Sequence, residues 1–219
     1  MEITAMATYI NQTLATYDYA KLQSLHNLAE GFGSIATPFL KFISLLGEDG
    51  LFLIILSLIF MLFKKTRKVG ICMYGAIGLG AIITSFVLKD IIARPRPFLE
   101  PNKPFEMWWK FVGAEPKDSF SFPSGHVTAT MAAMASIFLV CNKKYSWLSF
   151  IFVALMGISR NYLMVHYPSD VLAGILVGAF AGGVAYIITI FIYKFLEKYN
   201  QNKFCMFVKD FDLIKLFKR

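Results

Sequence analysis

The sequence predicts an all-α protein, a multi-pass transmembrane helical bundle of about six spans, each needing roughly 20 apolar residues to cross about 30 Å of hydrocarbon. Three observations carry this prediction. Hydrophobic residues make up 57% of the 219-residue chain, above the roughly 45–50% of an ordinary soluble domain. Charged residues make up only 16%. Those charges gather at the ends of long apolar runs, where a bilayer tolerates them best.

The elements follow in order. Residues 1–33 mix Asp18, Lys21, His26 and Glu30 with apolar side chains, and read as an amphipathic, interfacial helix. Residues 34–46 are apolar but short, and contain Pro38 and Lys41; with part of the preceding segment they form a first crossing. Gly47-Glu48-Asp49-Gly50 is a turn. A second crossing over 51–63 ends in Lys64, Lys65, Arg67 and Lys68, and a third over 69–93 runs into the proline-rich stretch 89–97.

A polar loop over 98–122 follows. In it, Glu106 to Phe111 has the look of an aromatic belt anchored at the membrane interface. Residues 126–140 cross again, ending at Asn142-Lys143-Lys144, and 145–162 return. The last span is 170–193, where Gly174, Gly178 and Gly182 recur every fourth residue as a helix-packing face. The expected organisation is thus an N-terminal interfacial segment (1–33), a membrane-embedded domain (34–197) and a basic tail (198–219).

No basic region leads into an apolar run at the N-terminus, so no signal peptide is expected. Cys72, Cys141 and Cys205 have no metal-ligand spacing and read as free thiols. The net charge of +8 sets topology rather than binding nucleic acid. The clusters at 64–68, at 143–144 and in the tail share one side if the spans alternate. The positive-inside rule makes that side, and the C-terminus, cytoplasmic. Lys89, Arg96, Ser124, His126, Arg160, His166 and Asp170 then meet at the outer ends of the helices.

Three segments contribute them: Lys89 to Pro97, Pro123-Ser124-Gly125-His126, and Ser159 to Asp170. Lys89, Arg96 and Arg160 would repel a divalent metal, so no metal or other cofactor is expected. The same set suits an oxyanion. Guanidinium forks match phosphate oxygens, and Ser124 and Gly125 open a helix whose N-terminus favours negative charge. No cysteine lies near, and Ser124 serves better as a donor. That leaves His166 as nucleophile, with Asp170 four residues on to hold one ring nitrogen protonated. His126 is then the general acid, and later the base.

Taken singly, each of these residues has a plainer reading as a snorkelling cation, a helix start or a packed histidine; their joint placement on one membrane face outweighs it. In the order K-x6-R-P, P-S-G-H and S-R-x5-H-x3-D, the segments resemble the signature of the type 2 phosphatidic acid phosphatase family, the lipid phosphate phosphatases related to vanadium haloperoxidases. The resemblance spans Lys89 to Asp170 without a substitution. It implies Lys89, Arg96, Ser124, Gly125 and Arg160 as phosphate-binding residues, with His126, His166 and Asp170 catalytic. Arg94 also precedes a proline, but the spacing from Lys89 selects Arg96.

The expected activity is hydrolysis of a lipid phosphate or diphosphate at the membrane, with a bacterial-type polyprenyl (undecaprenyl) diphosphatase favoured. Phosphatidylglycerophosphate and phosphatidate are the alternative substrates. A vanadate haloperoxidase and a transporter are the more distant readings. The first would be soluble, and the second would show paired Gly/Pro-interrupted repeats.

Overall fold

The computed structural model describes residues 4–116 and 118–216. The described residues are helical, in the order α1 (Ala5–Leu46), a 3-10 turn (Glu48–Gly50), α2 (Leu51–Leu62) and α3 (Arg67–Ala81), a π segment (Ile82–Leu88), α4 (Lys89–Ile92) and α5 (Phe105–Val112), then α6 (Gly125–Val140), α7 (Lys143–Ser146), α8 (Ser149–Tyr162), α9 (Pro168–Lys198), α10 (Lys203–Asp210) and α11 (Leu213–Leu216).

Helix α6 is the centre, packed against α3, α8 and α9. Small residues let it sit there. A methyl group at Gly178 would meet Met131 Cβ and the Thr128 carbonyl at 2.6 Å, and one at Gly182 would meet Ala135 Cβ at 2.7 Å. The glycine series of α9 is therefore a close-approach face against α6, as its spacing predicts. Met73, Ile77, Val127, Met134, Val153 and Met156 fill the core between the helices.

Large apolar side chains also cover much of the outside. Leu176, Phe180, Phe191 and Phe195 on α9, and Ile35, Phe39 and Leu45 on α1, are exposed. Such continuous apolar surface fits a lipid environment, not water. By length and apolarity two helical stretches can span a bilayer, 67–99 and 168–198. Helix α1 and the run Glu48–Leu62 pass that test together as one bent pair, while Gly125–Val140 is a shorter apolar helix.

Residues 34–46 join the preceding segment in one helix from residue 5, with a break in helical geometry at Phe32. At 47–50 the chain bends by 41° instead of reversing, because the three-residue turn carries α1 almost directly into α2. In the stretch Glu106 to Phe111, Met107 and Phe111 stay exposed while one face packs on the bundle. Phe105, Trp108 and Val112 lie on one stripe of α5 and are buried. His26 stacks on Trp108 at 4.8 Å between ring centroids, which fixes α5 to α1.

The two ends of the bundle are distinct. At one, Arg67 donates to the carbonyls of Val208, Lys209 and Phe211, holding α10 against the start of α3. At the other, α4, the start of α6 and the α8–α9 connection come together, and α1 crosses over them.

Candidate active site

Each of the three motif segments reaches this second end by a local device. Ala93, with φ 49°, closes α4 and turns the chain so that Arg94 and Arg96 point inward, both buried. Ser124 precedes the first residue of α6, and its N–H donates to the Asp170 carbonyl at 3.1 Å, joining α6 to α9. Pro168 opens α9, with Asp170 accepting from the Tyr167 N–H at 2.8 Å.

A cavity of about 440 Å³ lies among these segments, lined by Lys89, Arg96, Gly125, His126, Arg160 and His166, with Glu48 and Asp49 of the turn after α1 also in its wall. Ile54, Tyr74, Ile77, Gly78 and Ala81 continue it along α2 and α3 toward the lipid-facing surface. The π segment contributes Thr84 and Ser85 to its wall, and such irregular turns inside helices often mark functional sites.

The cations are braced from behind. Arg96 gives Nε to the Ser119 carbonyl at 2.7 Å and Nη1 to the Val165 carbonyl at 2.7 Å. Lys89 Nζ donates to Ser119 Oγ at 3.1 Å. Arg160 donates Nη1 to Ser44 Oγ. By contrast, Arg160 Nε and Ser124 Oγ are buried and bonded to no described residue. Unsatisfied buried donors are costly and rare. Here the two belong to the motifs that build the cationic end, a set able to receive a tetrahedral oxyanion.

His166 is 2% exposed. Its Nδ1 lies 2.8 Å from the Ser121 carbonyl, which can only accept, so Nδ1 carries the proton and Nε2 the lone pair. Nε2 sits 3.4 Å from Arg96 Nη1. Burial first, then the positive charges of Arg96 and Arg160, hold the imidazole well below the usual histidine range. The ring is thus neutral, with its free nitrogen beside the phosphate-type donors.

The expected Asp170–His166 pair is present but longer than a hydrogen bond, with Oδ2 3.7 Å from Nδ1. The carboxylate is occupied by Ser121 Oγ, the Tyr167 N–H and Arg94 Nη1. It steadies Ser121, whose carbonyl then holds the histidine. His126 stands opposite, with Nε2 3.3 Å from Glu48 Oε2.

All eight expected residues therefore gather at one end of the bundle, and the structure adds others. Arg94, set aside on spacing, is 1% exposed and lies between Asp18 and Asp170 at 2.8 and 2.6 Å, over the Tyr167 ring at 3.8 Å. Asp18 comes from the segment expected to be merely interfacial, and it accepts from the Ser169 backbone and hydroxyl. Ser119 and Ser121 also went unrecognised. Their alternation two and four residues before Pro123 was the available signal.

Comparison with known proteins agrees with this architecture. The PAP2 superfamily model matches residues 70–194. The undecaprenyl-diphosphatase of Sulfolobus acidocaldarius is 32% identical over 152 residues, covering 68% of this chain and 69% of that protein. The lipid A 4'-phosphatase of Bacteroides thetaiotaomicron is 33% identical over 142 residues, covering 60% and 61%. The transmembrane PAP2-type phosphatidylglycerolphosphate phosphatase of Bacillus subtilis shares the fold, with a TM-score of 0.61 at 24% identity, over 89% of this chain and 92% of that one. Sequence and fold converge on one family of membrane proteins: the chain belongs to the PAP2 superfamily of lipid phosphatases.

Proposed function

We propose that this protein hydrolyses the terminal phosphate of a lipid-linked diphosphate, with polyprenyl diphosphate the favoured substrate, through a phosphohistidine on His166. The observation that carries the reading is the cationic cavity whose apolar arm runs along α2 and α3. It offers room for a phosphate at one end and a hydrocarbon chain at the other. Two relatives named as undecaprenyl-diphosphatases, from Sulfolobus acidocaldarius and Bacillus subtilis, support the choice of lipid.

Lys89, Arg96, Ser124, the Gly125 N–H and Arg160 hold the phosphoryl oxygens, and their fixed charges oppose the charge that spreads over these oxygens in the transition state. His166 Nε2 attacks phosphorus while His126 protonates the leaving oxygen. His126 then takes a proton from the water that cleaves the N–P bond. Asp170 keeps Ser121, and through it His166, in place. A divalent metal has no role, because three fixed cations face the cavity. The basic clusters at 64–68 and 143–144 and the C-terminus lie on the cytoplasmic side of the bundle, with the active site at the extracytoplasmic face of the cell membrane.

The test is phosphate release by purified protein in the presence of EDTA, on polyprenyl diphosphate, phosphatidylglycerophosphate and phosphatidate. The diphosphate should be turned over fastest, and His166→Ala should abolish turnover of all three. Full activity in His166→Ala would remove the assigned nucleophile. A preference for phosphatidylglycerophosphate would move the substrate to the glycerolipids, as the name of a Bacillus subtilis relative 32% identical over 128 residues allows.

A further inference from the structure

The turn between α1 and α2 belongs to none of the three motifs, yet it is shaped around one of their histidines. A side-chain carbon at Gly47 would come within 3.0 Å of His126 Cδ2 and 2.6 Å of Met156 Cε. The absence of a side chain lets the backbone lie close against the edge of this imidazole. Asp49 and Gly50 both have left-handed backbone angles, φ 49° and 68°, a conformation that glycine and aspartate adopt more readily than most residues. Between these positions Glu48 extends its carboxylate to 3.3 Å from His126 Nε2. Glu48 also lines a second cavity of about 430 Å³, shared with Lys41, Ser44 and Arg160, so it stands in the wall between the two spaces.

We propose that Glu48 is a positioning residue for proton transfer at His126: its carboxylate accepts the Nε2–H, fixes the tautomer and tilt of the ring, and leaves Nδ1 as the nitrogen that exchanges its proton with the substrate. The inference rests on the reading of His126 as the general acid. A carboxylate on the far nitrogen is the usual means of orienting a working histidine. In the first step the His166 Nε2–P bond forms as the P–O bond to the lipid breaks. The proton of His126 Nδ1 passes to the leaving oxygen, and the ring ends neutral with its Nε2–H still on Glu48. The second step runs in reverse, with water giving its proton to Nδ1 as the N–P bond breaks.

General-acid help matters for a poor leaving group and little for a good one, so the test is a comparison of leaving groups. Single-turnover release of the alcohol is measured for octyl phosphate and for p-nitrophenyl phosphate in the parent enzyme, Glu48→Ala and His126→Ala. Octyl phosphate needs protonation of its leaving oxygen and p-nitrophenyl phosphate does not. Glu48→Ala should slow octanol release by about 10–100-fold while changing p-nitrophenol release by less than about threefold, the same selectivity as His126→Ala in milder form. Retained p-nitrophenol release also reports an intact phosphate site.

Equal losses on both substrates, or no loss on either, would overturn the role of Glu48 when His126→Ala is itself selective. If His126→Ala shows no leaving-group selectivity, the general-acid assignment of His126 falls, and the role of Glu48 falls with it.

Discussion

Arg94 Nη1 donates to Asp170 Oδ1 at 2.6 Å, while Asp170 Oδ2 stays 3.7 Å from His166 Nδ1. The carboxylate that the motif assigns to the histidine is thus gripped by an arginine from another segment. The same arginine reaches Asp18 on α1 at 2.8 Å. One buried cation joins the N-terminal helix, the α4 connection and the start of α9.

Arg94→Met should therefore be costly. It leaves Asp18 and Asp170 buried without their cation, and breaking a buried ion pair from one side costs about 3–5 kcal/mol. The denaturation midpoint of the detergent-solubilised protein should fall sharply, and activity with it. An unchanged midpoint would mean that α1 is held by its apolar contacts alone.

Asp170→Asn gives a second outcome. In a serine-protease triad, replacing the aspartate costs about 10⁴-fold because the histidine takes the wrong tautomer. Here the Ser121 carbonyl fixes the Nδ1–H, so the tautomer survives the change. Phosphate release by Asp170→Asn should fall by well under about 10⁴-fold, whereas His166→Ala should be inactive. A loss as complete as that of His166→Ala would show that the carboxylate acts on the ring itself.

Ser124→Ala separates function from stability. The hydroxyl is buried and bonded to no described residue, so folding does not depend on its hydrogen bond. Removing one preorganised donor to a charged transition state costs about 10²–10³ in kcat. The variant should keep or slightly raise its denaturation midpoint while losing activity of that order. A parallel loss of both would make the serine structural.

Much of this arrangement was legible in the sequence. That the three segments meet at one end of the bundle followed from apolar run lengths and the basic clusters, since hydrophobic length and charge asymmetry are properties of the chain itself. The Gly174–Gly178–Gly182 face was legible for the same reason: helical spacing fixes which residues share a side. Arg94, Asp18, Ser121 and Glu48 were not. Each works through a partner between 45 and 151 positions distant, or in the case of Glu48 through His126, 78 positions away. Pairing at such separation depends on how helices cross, which no local pattern encodes. The bend at 47–50 was missed because a Gly-Glu-Asp-Gly run reads equally as a reversal.

Gly178→Leu probes that crossing. At position 178 even a single carbon would come within 2.6 Å of the Thr128 carbonyl oxygen, a backbone atom of α6. Overpacking of this kind costs about 1–3 kcal/mol, and more where backbone must move. Since Thr128 lies one turn from Ser124, α6 should shift at its catalytic end. The variant is expected to lose stability and to raise KM for the lipid substrate. Gly183→Ala, with open space around the added carbon, is the control and should do neither.

The last prediction concerns pH and follows from the placement of His166. Burial and the neighbouring arginines hold its imidazole well below the ordinary value of about 6.5. The folded chain therefore binds the His166 proton less readily than the unfolded chain does. Stability contributed by the neutral ring is complete above about pH 6.5 and is lost as the pH falls below it. The same direction governs reactivity, because protonating Nε2 removes the lone pair that attacks phosphorus. The chain has three histidines, so a labelled-histidine NMR titration of the substrate-free enzyme, assigned with His26→Gln and His126→Gln, can follow each ring. His166 should remain a neutral Nδ1–H tautomer at pH 6.5 and titrate only in more acidic solution. A His166 ring that titrates at or above 6.5 would mean that it is solvated and not enclosed by the cationic site, and the preformed neutral nucleophile would have to be abandoned.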